Sequence, residues 1–167
     1  GSESARAQLD TIIADVLTQT RDPATLCEAV LEMRSEMAQH KPAKGPLDVK
    51  LMRGGLVDLE FAVHFLQLRD GLALQPDLGK AIDELVAAGH LPDETRAAHD
   101  LMTRALVAGR LLAPDLSEEP PKSAASALAN ACRCETYPAL LRSLSEARQS
   151  VAAIWKQTFD SNLEIDQ

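Results

Sequence analysis

Gly54-Gly55-Leu56-Val57-Asp58-Leu59-Glu60-Phe61-Ala62-Val63-His64-Phe65-Leu66-Gln67-Leu68-Arg69-Asp70-Gly71 is the stretch on which the fold turns. Projected at about 100° per residue, Leu56, Leu59, Val63 and Leu66 share one arc of a helix. Phe61, Phe65, Leu68 and, just past the stretch, Leu72 lie on a nearly opposite arc. A helix that is apolar on two sides has to be covered on both, which makes it the central member of a bundle. Asp70-Gly71 stops it.

The remaining sequence repeats the helical signal. The composition is 46% hydrophobic but only 3% aromatic, so the core is built from Leu, Ala, Val and Ile. Good helix formers dominate, and β-branched runs at period two are missing. The spacing predicts an all-α bundle of about six to seven helices, with a glycine-containing loop before the central one. The first runs from Ser4 to about Thr20, with Leu9, Ile12, Ile13 and Val16 at helical spacing. The second runs from Pro23 to about His40, with Leu26, Ala29, Val30, Met33 and Met37 inward. Helices over about 77–88, 92–112 and 123–133, the last capped by Ser123, follow the central one. A final helix from Pro138 to Phe159 turns Leu141, Leu144, Ala147, Val151, Ile154 and Trp155 to the core. Between residues 42 and 54 lie two prolines and two glycines beyond the end of the second helix, and Leu47–Met52 is expected to be briefly extended. Residues 113–122, rich in proline and acid, read as an exposed connector. The organisation is then a vector-derived scar at 1–2, one bundle domain over 3–160 and a frayed polar tail over 161–167.

With 167 residues, the chain has the size of one domain. A net charge of -8 argues against nucleic-acid binding. Cys27, Cys132 and Cys134 cannot all pair with one another, which fits a reducing cytoplasm better than a disulfide scaffold. No apolar run is long enough to span a membrane, and no signal peptide is seen.

One segment stands apart electrostatically. Lys41, Lys44, Lys50 and Arg53 face a single acid, Asp48, between residues 41 and 53. Gly54 and Gly55 would let the backbone approach a ligand, and the next helix begins there with free N–H groups and its positive dipole end. The segment is therefore either a phosphate site or a solvated basic loop closed by a glycine turn. Glu60, His64 and Gln67 form a polar stripe between the apolar arcs, which must be hydrogen-bonded internally or face a cleft. Asp58 is either a dipole partner in the first turn or part of the site. Glu60 with His64 lacks a third metal ligand, Cys132 and Cys134 lack a second pair, and His99-Asp100 lacks partner histidines, so no metal site is assigned. No nucleophilic triad or Walker loop occurs, so no catalytic residue is assigned within the chain.

Met33-Arg34 with Met37, then Lys41-Pro42-Ala43-Lys44-Gly45-Pro46-Leu47-Asp48-Val49-Lys50, then Arg53-Gly54-Gly55-Leu56-Val57-Asp58-Leu59-Glu60-Phe61 resemble the helical domain of glutamine synthetase adenylyltransferase. The Gly-Gly-Leu-Val-Asp wording resembles the C-terminal, adenylylating half of that family. His64 stands where the family usually has Gln. The resemblance implies an enzyme that transfers AMP from ATP to a tyrosine of glutamine synthetase, and in its other half removes it by phosphorolysis, regulating nitrogen assimilation. It implies Mg2+ and ATP in the full-length enzyme, with none required by this chain. The implied partners are glutamine synthetase, a PII signalling protein and an upstream nucleotidyltransferase domain of the same polypeptide, where the metal-binding carboxylates would lie. Lys50, Arg53, Gly54, Gly55, Asp58 and Glu60 become the phosphate-proximal candidates. Lys50 and Arg53 would supply charge, the glycines close approach, and Asp58 and Glu60 loop order.

Two other readings stand beside this one. The chain could be a docking module for glutamine synthetase or a PII protein, its motif serving packing alone. It could also be the related helical domain of PII uridylyltransferase.

Overall fold

The computed structural model describes residues 2–113, 115, 119–163 and 165 and contains seven helices, with no strand among those residues. They are α1 (Glu3–Leu17), α2 (Pro23–His40), α3 (Leu56–Asp70), α4 (Leu78–Ala87), α5 (Thr95–Leu112), α6 (Lys122–Ala131) and α7 (Tyr137–Phe159). The expected all-α bundle is borne out. Gly1 of the expected scar, Pro114 and residues 116–118 of the expected connector, and 164, 166 and 167 of the expected tail lie outside the described residues.

Local chemistry sets the ends of the helices. Asp22 caps α2 by accepting from the Thr25 amide at 2.8 Å, with Pro23 in the first turn, where its missing N–H costs nothing. Asp77 does the same for α4 through the Lys80 amide, and Thr136 for α7 through Ala139. Gly71, at φ +64°, ends α3 in the left-handed conformation that lets its amide reach the Gln67 carbonyl. Ser123 does not cap α6: Pro121 occupies that position without a side-chain bond and Ser123 lies inside the helix. The helix can start this early because Lys122 and Ser123 tolerate helical geometry and the Ala125 amide bonds the Pro121 carbonyl.

The double-sided helix is the centre of the fold. α3 packs against α2, α4, α5 and α7, and α7 in turn packs against α5 and α6. Leu59, Ala62 and Val63 are fully buried, as are Ile82, Leu85, Met102, Leu128, Leu140 and Val151 from the surrounding helices. Each such large aliphatic side chain stabilises the fold by roughly 1.5–3 kcal/mol. At one end, Trp155 and Phe65 each contact Phe159, with ring centroids 4.4 and 4.8 Å apart, in tilted geometry.

Three expectations are corrected. On α2 the fully buried residue is Arg34, while Met33 is 54% exposed and Ala29 also faces out; the helix is rotated so that Arg34 meets an acid on α3. Residues 47–52 are not extended but folded into turns, in which Asp48 accepts the Lys44 and Leu51 amides and its own carbonyl accepts those of Leu51 and Met52. The tail is not wholly frayed, since Leu163 packs on the core. α1 is formed as expected but buries no residue; Leu9, Ile12, Ile13 and Val16 stay 46–59% exposed. Among the described residues no helix is long and apolar enough to cross a membrane.

Candidate functional site

The basic loop and the start of α3 are held by one buried carboxylate. Asp58, fully buried in the first turn of α3, accepts from the Arg34 Nε at 2.5 Å and from the Gly54 amide at 2.7 Å. Arg34 Nη2 also donates to the Leu51 carbonyl at 3.2 Å. One guanidinium thus joins α2, the loop and α3. From the other side, Arg148 of α7 donates its Nε to the Arg53 carbonyl at 2.9 Å.

The glycines are required by this packing. Gly54 has φ +75°, and a Cβ there would lie 2.4 Å from the Arg148 carbonyl oxygen. A Cβ on Gly55 would lie 2.5 Å from the Val49 oxygen and 2.7 Å from that of Met52. The close approach read from the sequence is real, but it is made to protein carbonyls.

The same geometry overturns the expectation of free amides at the helix start. Gly54 donates to Asp58, Gly55 to the Met52 carbonyl, Leu56 to that of Val49 and Val57 to that of Lys50. Four successive N–H groups that could have cradled a phosphate are satisfied by the loop itself, because the loop folds under the helix end and covers it.

Lys50 and Arg53 remain available. Both are half-buried, and neither side chain has a hydrogen-bond or ion-pair partner among the described residues. Lys41 and Lys44 are exposed on the preceding turn. Arg53 borders two clefts. The larger, about 640 Å³, lies between α2, the loop and α7 and includes Arg34, Pro42, Met52, Leu144 and Arg148 in its wall. The smaller, about 500 Å³, lies toward the C-terminal end of α7. Lys50 lines neither cleft, so the structure brings Arg53 but not Lys50 to them.

The polar stripe of α3 divides into two parts. Gln67 is buried and bonded internally: its Nε2 donates to the carbonyls of Ala73 and Gln75, pinning the α3–α4 turn. His64 is exposed, with Nδ1 2.8 Å from Gln67 Oε1. Glu60 is half-buried on the same helix and lines neither cleft. His99 and Asp100 belong to a surface network in which Arg96 links Asp100, Asp83 and the Gly79 carbonyl. Among the described residues no three His, Cys, Asp or Glu side chains converge as metal ligands. The carboxylates nearest the loop do not suit magnesium either, since Asp58 is taken by Arg34 and Gly54, and Asp48 by two amides.

Sequence reasoning missed the roles of Arg34 and Arg148. Arg34 could have been found from its position: it lies i+4 from Val30 on the half-buried face of α2, where a charge demands a partner. Arg148 reaches a backbone carbonyl 95 residues away, which no sequence pattern marks.

A family model described as GlnD PII-uridylyltransferase matches residues 28–159, from the second turn of α2 through the end of α7. The chain belongs to this family. Proteins similar to this chain include the bifunctional glutamine synthetase adenylyltransferase/adenylyl-removing enzyme of Rhizobium meliloti, 30% identical over 92% of this chain and 16% of that protein. The enzymes of the same name from Agrobacterium fabrum and Caulobacter vibrioides are 44% and 40% identical over 41% and 53% of this chain. They are covered over only 7% and 9% of their own length, so the chain spans about a sixth or less of these relatives. No solved structure matches the chain significantly. The resemblance to the adenylyltransferase helical domain is thereby borne out for a family that also bears the uridylyltransferase description.

Proposed function

We propose that the chain is the helical domain that follows the C-terminal nucleotidyltransferase domain of a glutamine synthetase adenylyltransferase, and that its basic loop supplies positive charge to the nucleotide phosphates held by that neighbour. The names of the relatives support the enzyme class. In this reading the parent enzyme works with ATP and Mg2+, the metal being held by the neighbouring domain. The tyrosine hydroxyl oxygen of glutamine synthetase attacks the α-phosphorus, the bond to the β-phosphate bridge breaks, the hydroxyl proton is released and pyrophosphate departs. The other half of the enzyme reverses the modification with phosphate, and a PII protein and glutamine set the balance.

The observation that carries the loop's role is Arg53. Its backbone is fixed through Arg148, and the neighbouring Gly54 is fixed through Asp58, while its guanidinium has no partner among the described residues. A cation positioned before the substrate arrives can stabilise charge developing on a leaving pyrophosphate without reorganisation. Lys50, on the same loop, would act with it. Replacing either by Ala in the full-length enzyme should lower adenylylation on the order of 10²-fold with the helical circular dichroism unchanged. Undiminished turnover in both variants would reject the role.

A docking role is favoured by a different observation: Gly54, Gly55 and Asp58 are fully engaged in packing. If the chain is chiefly a docking module for glutamine synthetase or a PII protein, it should bind one of them stably on its own. Binding that survives the Lys50 and Arg53 substitutions would favour this reading.

A further inference from the structure

The larger cleft is a groove with walls that the loop's proposed role leaves unused. Along one side Arg34 and Ala38 stand four residues apart on α2; along the other, Leu141, Leu144, Ser145 and Arg148 form one stripe of α7. The loop completes the wall, chiefly with Pro42, Pro46, Leu51, Met52 and Arg53. Leu51 and Met52 are half-buried yet stand outside the core, and both prolines are exposed. Folding has therefore left apolar surface uncovered in a groove of about 640 Å³, which is the size of a ligand cleft and holds a few side chains.

The rim on the loop side is basic. The four cations between residues 41 and 53 face one acid, Asp48, which is buried and already accepts the Lys44 and Leu51 amides. Lys41 and Lys44 are exposed and flank the lining residues Pro42, Ala43 and Gly45, which places them at the edge of the groove. Arg34 is neutralised by Asp58 and adds nothing to this charge. None of the chain's aromatic side chains lines the groove, so nothing there stacks on a base, and a nucleotide or a nucleic-acid strand is disfavoured. A compact ligand held within the groove would leave Lys41 and Lys44 unused, whereas a peptide reaches both the apolar floor and the basic rim.

We propose that this groove docks an acidic peptide segment of a partner protein, with its apolar side chains seated between Met52 and Leu141 and its carboxylates against Lys41, Lys44 and Arg53. Two helix faces closed by a loop make the kind of trench in which an amphipathic segment lies, and a methionine in the wall adapts its shape to the anchor it meets. The apolar floor supplies most of the hold, and the rim charges supply speed and selectivity. The inference shares Arg53 with the phosphate role proposed for the loop but does not rest on it, since peptide docking needs neither a nucleotide nor the neighbouring catalytic domain.

The chain is titrated with a fluorescein-labelled peptide that carries leucines at helical spacing and glutamates between them, and binding is read by fluorescence anisotropy. A peptide with lysine in place of glutamate and one with serine in place of leucine are parallel arms. Saturable binding of the leucine-glutamate peptide is expected, with neither of the others binding comparably. Met52→Gln should weaken it about fivefold or more, and Lys41→Glu/Lys44→Glu several-fold, the second effect shrinking as salt is added. Ile12→Gln/Val16→Gln, on the exposed apolar stripe of α1, should bind as the wild type does. Binding lost in that variant but kept in Met52→Gln would move the site to α1 and overturn the assignment. Equal binding of the leucine-lysine peptide, or no saturation at millimolar peptide, would overturn it too. ATP that shifts the Met52 methyl resonance while the peptide leaves it still would give the groove to a nucleotide, and a Met52-dependent dimer in sedimentation would give it to a second copy; either result overturns the peptide. Should Met52→Gln lose its helical circular dichroism, the exposed Lys41→Glu/Lys44→Glu variant decides instead.

Discussion

Arg34 and Asp58, 24 residues apart in sequence, form an ion pair in which the two side chains retain 3% and 0% of their exposure. Two charges removed from water this completely are tolerated because each is otherwise satisfied: Asp58 by the Gly54 amide, Arg34 by the Leu51 carbonyl. The pair holds the basic loop in one shape and thereby fixes where Arg53 sits.

Removing one partner should be far worse than removing both charges. Arg34→Met leaves a buried carboxylate with a single donor and is expected to cost about 3–5 kcal/mol, read as a lower urea midpoint. Arg34→Met combined with Asp58→Asn, which keeps an acceptor for the Gly54 amide, should recover at least half of that loss. A double variant as unstable as the single one would show that the buried charge is not the cause.

Two glycines with the same left-handed backbone should respond differently to alanine. At Gly71 nothing lies within 4 Å of the added Cβ, so only the conformational cost of about 1–2 kcal/mol is expected. At Gly54 the same cost is joined by a 2.4 Å contact with a backbone oxygen, and Gly54→Ala should destabilise by clearly more. Equal urea midpoints for the two variants would mean that α7 yields freely at Arg148.

Deleting residues 1–19 should barely change stability, within about 0.5 kcal/mol, because α1 buries no residue. Its main polar tie is Arg21, which donates to the carbonyls of Val16, Leu17 and Gln19 from outside the helix. A large drop in the unfolding midpoint would show that α1 covers the core.

Acid should weaken the fold partly through Asp70 and Asp100. The hydrogen bond from Arg69 holds Asp70 below the usual carboxylate range, against the opposing effect of burial. For Asp100, burial raises the value, but the hydrogen bonds from Arg96 and His99 outweigh it. Both values are lower in the folded than in the unfolded chain, so the unfolded state takes up protons first. The stabilisation is therefore complete above the unfolded value of about 4 and is lost as pH falls through the folded values. Both groups are partly exposed, so the effect is modest. The Asp70→Asn/Asp100→Asn variant should lose stability less steeply below about pH 4 in acid-dependent urea titrations; an unchanged slope would place the acid sensitivity elsewhere.

The amino-acid order by itself determined the helices, because apolar spacing, caps and glycine stops act over a few residues. The two opposite apolar arcs of residues 56–72 were enough to mark α3 as the central helix. The same order singled out the basic loop and its two glycines, since a cluster of four cations in an acidic chain needs no structure to be seen. What the glycines are for was decided only in three dimensions. Whether an amide at a helix start is free depends on what folds beneath it, and here that is the loop's own carbonyls of Val49, Lys50 and Met52. For Arg34 the sequence holds only a hint, its spacing of four residues from Val30; its burial follows from the meeting of α2 with Asp58. The groove beside Met52 arises because the loop stands between α2 and α7. Such a groove joins residues from α2, the loop and α7, whose distances apart are set by packing and not by the local chemistry of any one segment.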